Sequence, residues 1–119
     1  MSQKLVLLLN DDEALSFSIK IELKGRGVRA VSKTCVAEAL KFLSENGVDA
    51  IVSDINLGDG MPSGYDFLTE VRKKDKDIPF IFISGYPKAK EWPKAEATGA
   101  TGYLQIPFED GELEKILGV

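Results

Sequence analysis

The chain predicts an α/β domain of the (βα)5 type: a doubly wound, five-stranded parallel sheet with strand order 2-1-3-4-5 and helices on both faces. Three features carry that prediction. Short β-rich apolar runs alternate with longer stretches whose apolar residues recur at helical spacing, the pattern of consecutive βα units. The run Ala50-Ile51-Val52 is hydrophobic on consecutive residues, as a strand covered on both faces must be, and such a strand belongs in the middle of a parallel sheet. Right-handed crossovers then place helices on both faces, and the chosen order sets strands 1 and 3 side by side at the switch point.

Taken in order, residues 5–9, all Leu or Val, form the first strand. The helix after it spans 14–24 and carries Leu15, Ile19 and Leu23 on one face. Residues 29–31 make the second strand. Val36, Ala39, Leu40 and Leu43 then repeat at i, i+3, i+4 and i+7, a second amphipathic helix that stops at Asn46-Gly47. The third strand is 50–52. Ser63 caps a third helix, with Leu68 and Val71 inward and Lys73-Lys74 near the C-terminus, where cations suit the helix dipole. Residues 80–83 are the fourth strand, and the segment after Gly85 is irregular because Pro87 and Pro93 interrupt it. The fifth strand, 102–104, leads to a last helix that begins near Asp110 and buries Leu113, Ile116 and Leu117.

Composition excludes several function classes. At 119 residues, 44% of them hydrophobic, the chain is read as one domain over 1–119 with length enough for a core. A formal charge of −4 with no basic block argues against a nucleic-acid surface. With no histidine, histidine acid–base catalysis and histidine metal ligation are excluded. The single Cys35 has no partner for an internal disulfide, which fits a reducing cytosol. No apolar run approaches membrane-spanning length and residues 1–4 lack the hydrophobic segment of a signal peptide, so a soluble cytoplasmic domain is expected. There is no internal repeat or low-complexity tract.

The candidate chemistry lies at strand ends. Asp54 leaves the C-terminal end of the central strand, where open α/β sheets bind ligands. An Asp there also serves as a turn former or helix cap. Asn10-Asp11-Asp12-Glu13 follows the first strand, on the same side of a parallel sheet, so Asp11, Asp12 and Asp54 are expected to converge. Carboxylates that close repel one another unless a cation sits among them or some are protonated. Oxygen-only ligands suit Mg²⁺. The plainer alternative, that residues 11–13 cap the following helix, is compatible with ligation. A flavodoxin-like nucleotide binder would share the architecture but needs phosphate-cradling donors where this chain has an acidic loop.

In this order and at these separations the residues resemble the receiver domains of two-component response regulators, over nearly the whole chain. The markers are Asp11-Asp12, Asp54, Ser84-Gly85, and Gly99-Ala100 leading to Tyr103 and Pro107-Phe108. The resemblance implies that Asp54 is the phosphoacceptor and that Asp11, Asp12, Asp54 and the main-chain carbonyl of Asn56 hold Mg²⁺. It implies Ser84 as phosphate contact and switch, and Tyr103 as the switch aromatic that turns as Ser84 moves. The implied partner is a sensor histidine kinase or a histidine phosphotransfer protein, with a fused or separate output domain and a weak homodimer among the options. Such a domain promotes only its own phosphorylation and dephosphorylation and is not otherwise an enzyme.

Two departures stand out. Receiver domains normally carry a lysine immediately before the proline matching Pro107, and here the residue is Ile106. An isoleucine neither donates a hydrogen bond nor neutralises charge, a loss of about 1.5–3 kcal/mol of phosphoryl stabilisation. Lys88 and Lys90 are candidate replacements, although exposed lysines at helix starts ordinarily face solvent. The loop 58–64 is about two residues longer than the family's usual turn; its Asp59 could add a ligand or sit in solvent, and solvent is favoured because charged loop residues are normally hydrated. Ile106 therefore keeps a second class open, a pseudo-receiver that signals by protein interaction without phosphorylation. A phosphatase or nucleotide enzyme is disfavoured because no separate general acid–base group is apparent.

Overall fold

The structure, a computed structural model, describes residues 3–119. Met1 and Ser2, the start of the stretch expected to lack a signal segment, lie outside the described residues. The elements run β1 (Leu5–Leu9), α1 (Glu13–Lys24), β2 (Arg29–Lys33), α2 (Val36–Glu45), β3 (Ala50–Asp54), α3 (Gly64–Lys74), β4 (Phe80–Ser84), α4 (Lys88–Thr98), β5 (Gly102–Gln105) and α5 (Glu112–Leu117). All neighbouring strands pair in parallel, in the order β2-β1-β3-β4-β5. The expected topology is therefore present, and β3 lies between β1 and β4 at the centre.

Strand alternation divides the core into two apolar layers, because successive side chains point to opposite faces. Leu7, Leu9, Ile51, Phe80, Phe82 and Tyr103 face α2, α3 and α4. Val6, Leu8, Val52, Ile81, Ile83 and Leu104 face α1 and α5. The two layers leave little of β1, β3 or β4 in contact with water, which is why those strands read as unbroken apolar runs. Among the described residues no helix is long and apolar enough to cross a membrane.

Local sequence sets the helix starts. Asp12 caps α1 by accepting the Leu15 N–H at 3.1 Å. Ser63 and Asp66 form a reciprocal capping box on α3, Ser63 Oγ accepting from the Asp66 N–H and Asp66 Oδ2 from the Ser63 N–H. Gly64, the first residue of α3, packs so tightly under β3 that a Cβ there would stand 2.1 Å from the Asp54 carbonyl oxygen.

Two expectations are corrected. The segment after Gly85 is a continuous helix from Lys88 to Thr98, with Pro87 at its N-cap and Pro93 inside. Pro93 deletes the N–H that would bond the Ala89 carbonyl, but tertiary contacts hold the helix in place. Ala95 is fully buried, Glu91 accepts the Tyr65 hydroxyl at 2.7 Å, and the Lys94 ammonium lies 4.3 Å from the centre of the Tyr65 ring. In the last helix Leu113 is buried as expected, but Ile116 is 36% exposed, lying at the sheet's margin over Gly102. The side chain buried beside Leu113 is that of Glu114.

Candidate functional site

The C-terminal ends of β1, β3 and β4 open into one cleft of about 530 Å³. Asp11 and Asp12 wall it from the β1 loop, Asp54 and Asn56 from the end of β3, and Ser84 and Tyr86 from the end of β4. The register explains the meeting: Leu9 of β1 pairs with Ser53, and Asp54 pairs with Ile83, one residue before Ser84. The three acidic residues chosen from sequence therefore share a cleft.

Their oxygens do not close into a cage. Among the described residues no three Cys, Asp or Glu side chains converge closely enough to enclose a metal alone. Asp12 commits one oxygen to the α1 cap, and Asp54 Oδ1 accepts its neighbour Ile55's N–H at 2.7 Å. The donor set is oxygen only and open to solvent, which fits Mg²⁺, a hard ion usually bound through one or two carboxylates while retaining waters. Burial is the main influence raising the Asp54 carboxyl above its ordinary value; the Ile55 N–H opposes it, and repulsion from Asp11 and, more weakly, Asp12 adds to it. A cation in the cleft would reverse that repulsion.

Ser84 is buried at the strand end, its Oγ accepting the Tyr86 N–H at 3.1 Å. Tyr103 is 2% exposed and already turned inward, its hydroxyl donating to the Tyr86 carbonyl at 2.8 Å and meeting the Ser84 side chain. Burial raises the Tyr103 phenol above its ordinary value, so it stays a donor at neutral pH. Ser84, Tyr86 and Tyr103 thus form one hydrogen-bonded unit beside Asp54.

The cleft contains no basic side chain. The Ile106 N–H donates to the Ser84 carbonyl at 2.7 Å, which sets residue 106 beside the site, but its side chain joins the apolar layer under α1 and α5. The Ile106–Pro107 peptide is cis. Lys88 and Lys90 sit in the exposed first turn of α4, and neither lines the cleft; the Lys88 N–H donates instead to Gln105 Oε1 at 3.1 Å. Asp59 is exposed, as favoured from the sequence, and also lines the cleft, where the alternative reading as an added ligand would put it. The loop that carries it turns at Gly58 and Gly60, both in left-handed backbone conformations. Sequence reading also missed Tyr86, an exposed aromatic at the rim, which only the strand register brings to this edge.

A parallel 2-1-3-4-5 sheet with an acidic cleft at its β1–β3 switch point and a buried serine at the adjacent end of β4 is the arrangement of a class of phosphoacceptor signalling domains. Residues 6–118 match the response regulator receiver domain model, and the chain belongs to that family, the phosphoacceptor domains of two-component signalling. It is 34% identical over 113 residues to an NtrX-like response regulator of Rickettsia typhi, covering 95% of this chain and 24% of that protein. It is 34% identical over 105 residues to the sensor kinase CckA of Brucella abortus, covering 87% of this chain and 11% of the kinase. The chain thus spans about a quarter of the length of the NtrX-like relative. Among solved structures, chemotaxis protein CheY4 of Vibrio cholerae superposes with a TM-score of 0.89 at 25% identity, covering 98% of both chains. The non-phosphorylated HemR receiver domain of Leptospira biflexa gives 0.86 at 29% identity, covering 98% of this chain and 96% of that one.

Proposed function

We propose that Asp54 accepts a phosphoryl group from a phosphohistidine on a sensor histidine kinase or histidine phosphotransfer protein, within a single receiver domain spanning residues 1–119. Receiver domains interact with sensor kinases and often accompany output domains; the particular kinase and output of this chain are part of the proposal, as are its cytoplasmic location and its lack of other enzymatic activity. The observation that carries the reading is the half-buried Asp54 at the tip of the central strand, sharing one cleft with Asp11, Asp12 and Ser84.

The chain's own residues divide the work. An Asp54 carboxylate oxygen bonds to phosphorus as the P–N bond breaks, its electron pair leaving with the partner's imidazole. Asp11, Asp12, Asp54 and the Asn56 carbonyl are the proposed ligands for Mg²⁺, which offsets negative charge on the carboxylate and phosphoryl oxygens when bound. Phosphoryl oxygens accept hydrogen bonds, and the Ser84 hydroxyl is a side-chain donor that lines the cleft. When Ser84 turns toward the phosphoryl group, it leaves the Tyr86 N–H and the Tyr103 hydroxyl. The Tyr103–Tyr86 contact must then rearrange, and that passes the event to the β5 edge and the start of α4.

Incubation with phosphoramidate and Mg²⁺, followed by intact mass, tests the assignment. A phosphoryl adduct on the wild type that is absent from Asp54→Ala supports Asp54 as acceptor. An adduct that persists in Asp54→Ala removes it. An adduct formed only by Ile106→Lys assigns the chain to the pseudo-receiver class.

A further inference from the structure

A second acidic notch, of about 430 Å³, lies in the seam between α1 and α5, away from the strand tips. Glu22 and Arg26 wall it from α1, Asp110 and Gly111 from the segment before α5, and Glu114 from α5. Glu114 is 3% exposed, and its Oε1 is buried with no hydrogen-bond partner. The Glu22 and Glu114 carboxyl groups line this one notch from facing helices. An ionised carboxylate only accepts hydrogen bonds, and a buried one with an unpaired oxygen is costly beside a second carboxylate unless one of the two takes up a proton. Glu22 Oε1 also lies 3.4 Å from the Gly111 N–H, which points a donor from the turn before α5 at the same carboxyl group. Arg26 is exposed and forms no ion pair; among the described residues the one ion pair is Lys73–Glu70.

We propose that Glu22 and Glu114 share one proton across the α1–α5 seam, a carboxyl–carboxylate clasp that holds α5 in place and loosens as pH rises. The apolar contacts beside it, Ile19 and Leu23 of α1 with Leu113 of α5, exclude water from one side of the pair. The charged groups facing Glu22 are Glu114 from α5, Asp110 from the preceding segment and Arg26 from α1 itself. Burial is the main influence holding the Glu22 carboxyl above its ordinary value of 4.5. The adjoining Glu114 side chain comes next, the Gly111 N–H opposes both, and the charges of Glu114 and Asp110 add to the rise.

The sign follows from proton linkage. Between 4.5 and the raised folded-state value, the folded chain holds a proton that the unfolded chain has released. The clasp's contribution is therefore complete below the ordinary glutamate range and is lost as pH rises through the folded-state value. Across that window the folding equilibrium weakens by up to about tenfold per pH unit. α5 is only six residues long and carries Glu114, so the loosening concentrates there.

Urea unfolding and α5 amide exchange of the full chain between pH 4 and 8, compared with Glu22→Gln, test the proposal. Glutamine keeps a permanent donor toward Glu114, and Glu22 is half-exposed, so the variant folds. Carboxylates away from the notch are common to the two proteins, and the difference between their pH profiles isolates the pair. The expected result is that wild-type stability and α5 protection decline with pH relative to Glu22→Gln. Carboxyl carbon NMR on the wild type gives a second readout, with Glu22 titrating above 4.5. Parallel stability profiles, or a Glu22 titration at or below 4.5, overturn the clasp.

Discussion

Gly64→Ala is the substitution whose effect the structure sets most tightly. A Cβ at position 64 would stand 2.1 Å from the Asp54 carbonyl oxygen and 2.9 Å from Phe82 Cε1. Carbon and carbonyl oxygen ordinarily approach no closer than about 3.3 Å, so backbone must move by about 1.2 Å. Neither neighbour yields easily: the oxygen belongs to the central strand, and Phe82 is fully buried against Phe80 and Tyr65. Overpacking of this kind costs about 1–3 kcal/mol, and a backbone partner places this case at about 3 kcal/mol. For a chain of 119 residues that is a fall in Tm of roughly 10–15 °C. Differential scanning calorimetry reads it directly, with Gly85→Ala as control, since a Cβ at Gly85 meets nothing within 4 Å. The movement also displaces the Asp54 main chain, so phosphorylation by phosphoramidate should slow in Gly64→Ala even where the protein is folded. A Gly64→Ala protein within about 1 kcal/mol of wild type would refute the packing argument.

Other consequences follow from the same geometry. Ile106→Lys introduces a long cationic side chain that must leave the apolar layer to reach the cleft; once there it should raise the phosphorylated fraction by a free energy of about 1.5–3 kcal/mol, measured as steady-state adduct by intact mass. Lys88→Ala and Lys90→Ala should leave that fraction unchanged, because neither lysine lines the cleft. Asp11→Asn removes one of the charges that repel Asp54 and one proposed ligand; Mg²⁺ affinity by calorimetry should fall roughly tenfold or more, since even partners one shell out cost that much. Ser63→Ala opens the capping box of α3 and should lower unfolding free energy by about 1 kcal/mol in urea titration.

The fold was legible because its signals are local and repeated. Unbroken apolar runs mark strands covered on both faces, and the helical spacing of Val36, Ala39, Leu40 and Leu43 marks a face that must be buried. Asp11, Asp12 and Asp54 were legible as neighbours because parallel strands place their C-terminal ends on one side, and the order 2-1-3-4-5 makes β1 and β3 adjacent. The remainder depends on tertiary packing. Pro93 weakens a helix in isolation, yet Tyr65, Glu91 and Lys94 bind α4 to α3 over a separation that no local pattern reveals. The direction of the Ile106 side chain, the return of Asp59 to the cleft and the burial of Glu114 in place of Ile116 are set by how loops and the last helix seat on the sheet. Gly64 reads as an ordinary loop glycine in sequence; only the close approach of α3 to β3 shows why no side chain fits there.

Binding of beryllofluoride, a phosphoryl mimic, followed by fluorine NMR, addresses the acceptor site itself without a kinase or a labile product. The geometry predicts a bound signal that requires Mg²⁺, is abolished in Asp54→Ala and shifts in Ser84→Ala, because the mimic's fluorines occupy the positions of phosphoryl oxygens beside that hydroxyl. A bound signal that survives Asp54→Ala, or no bound signal on the folded wild type at saturating Mg²⁺, would contradict the assignment of the β3 tip as the phosphoacceptor.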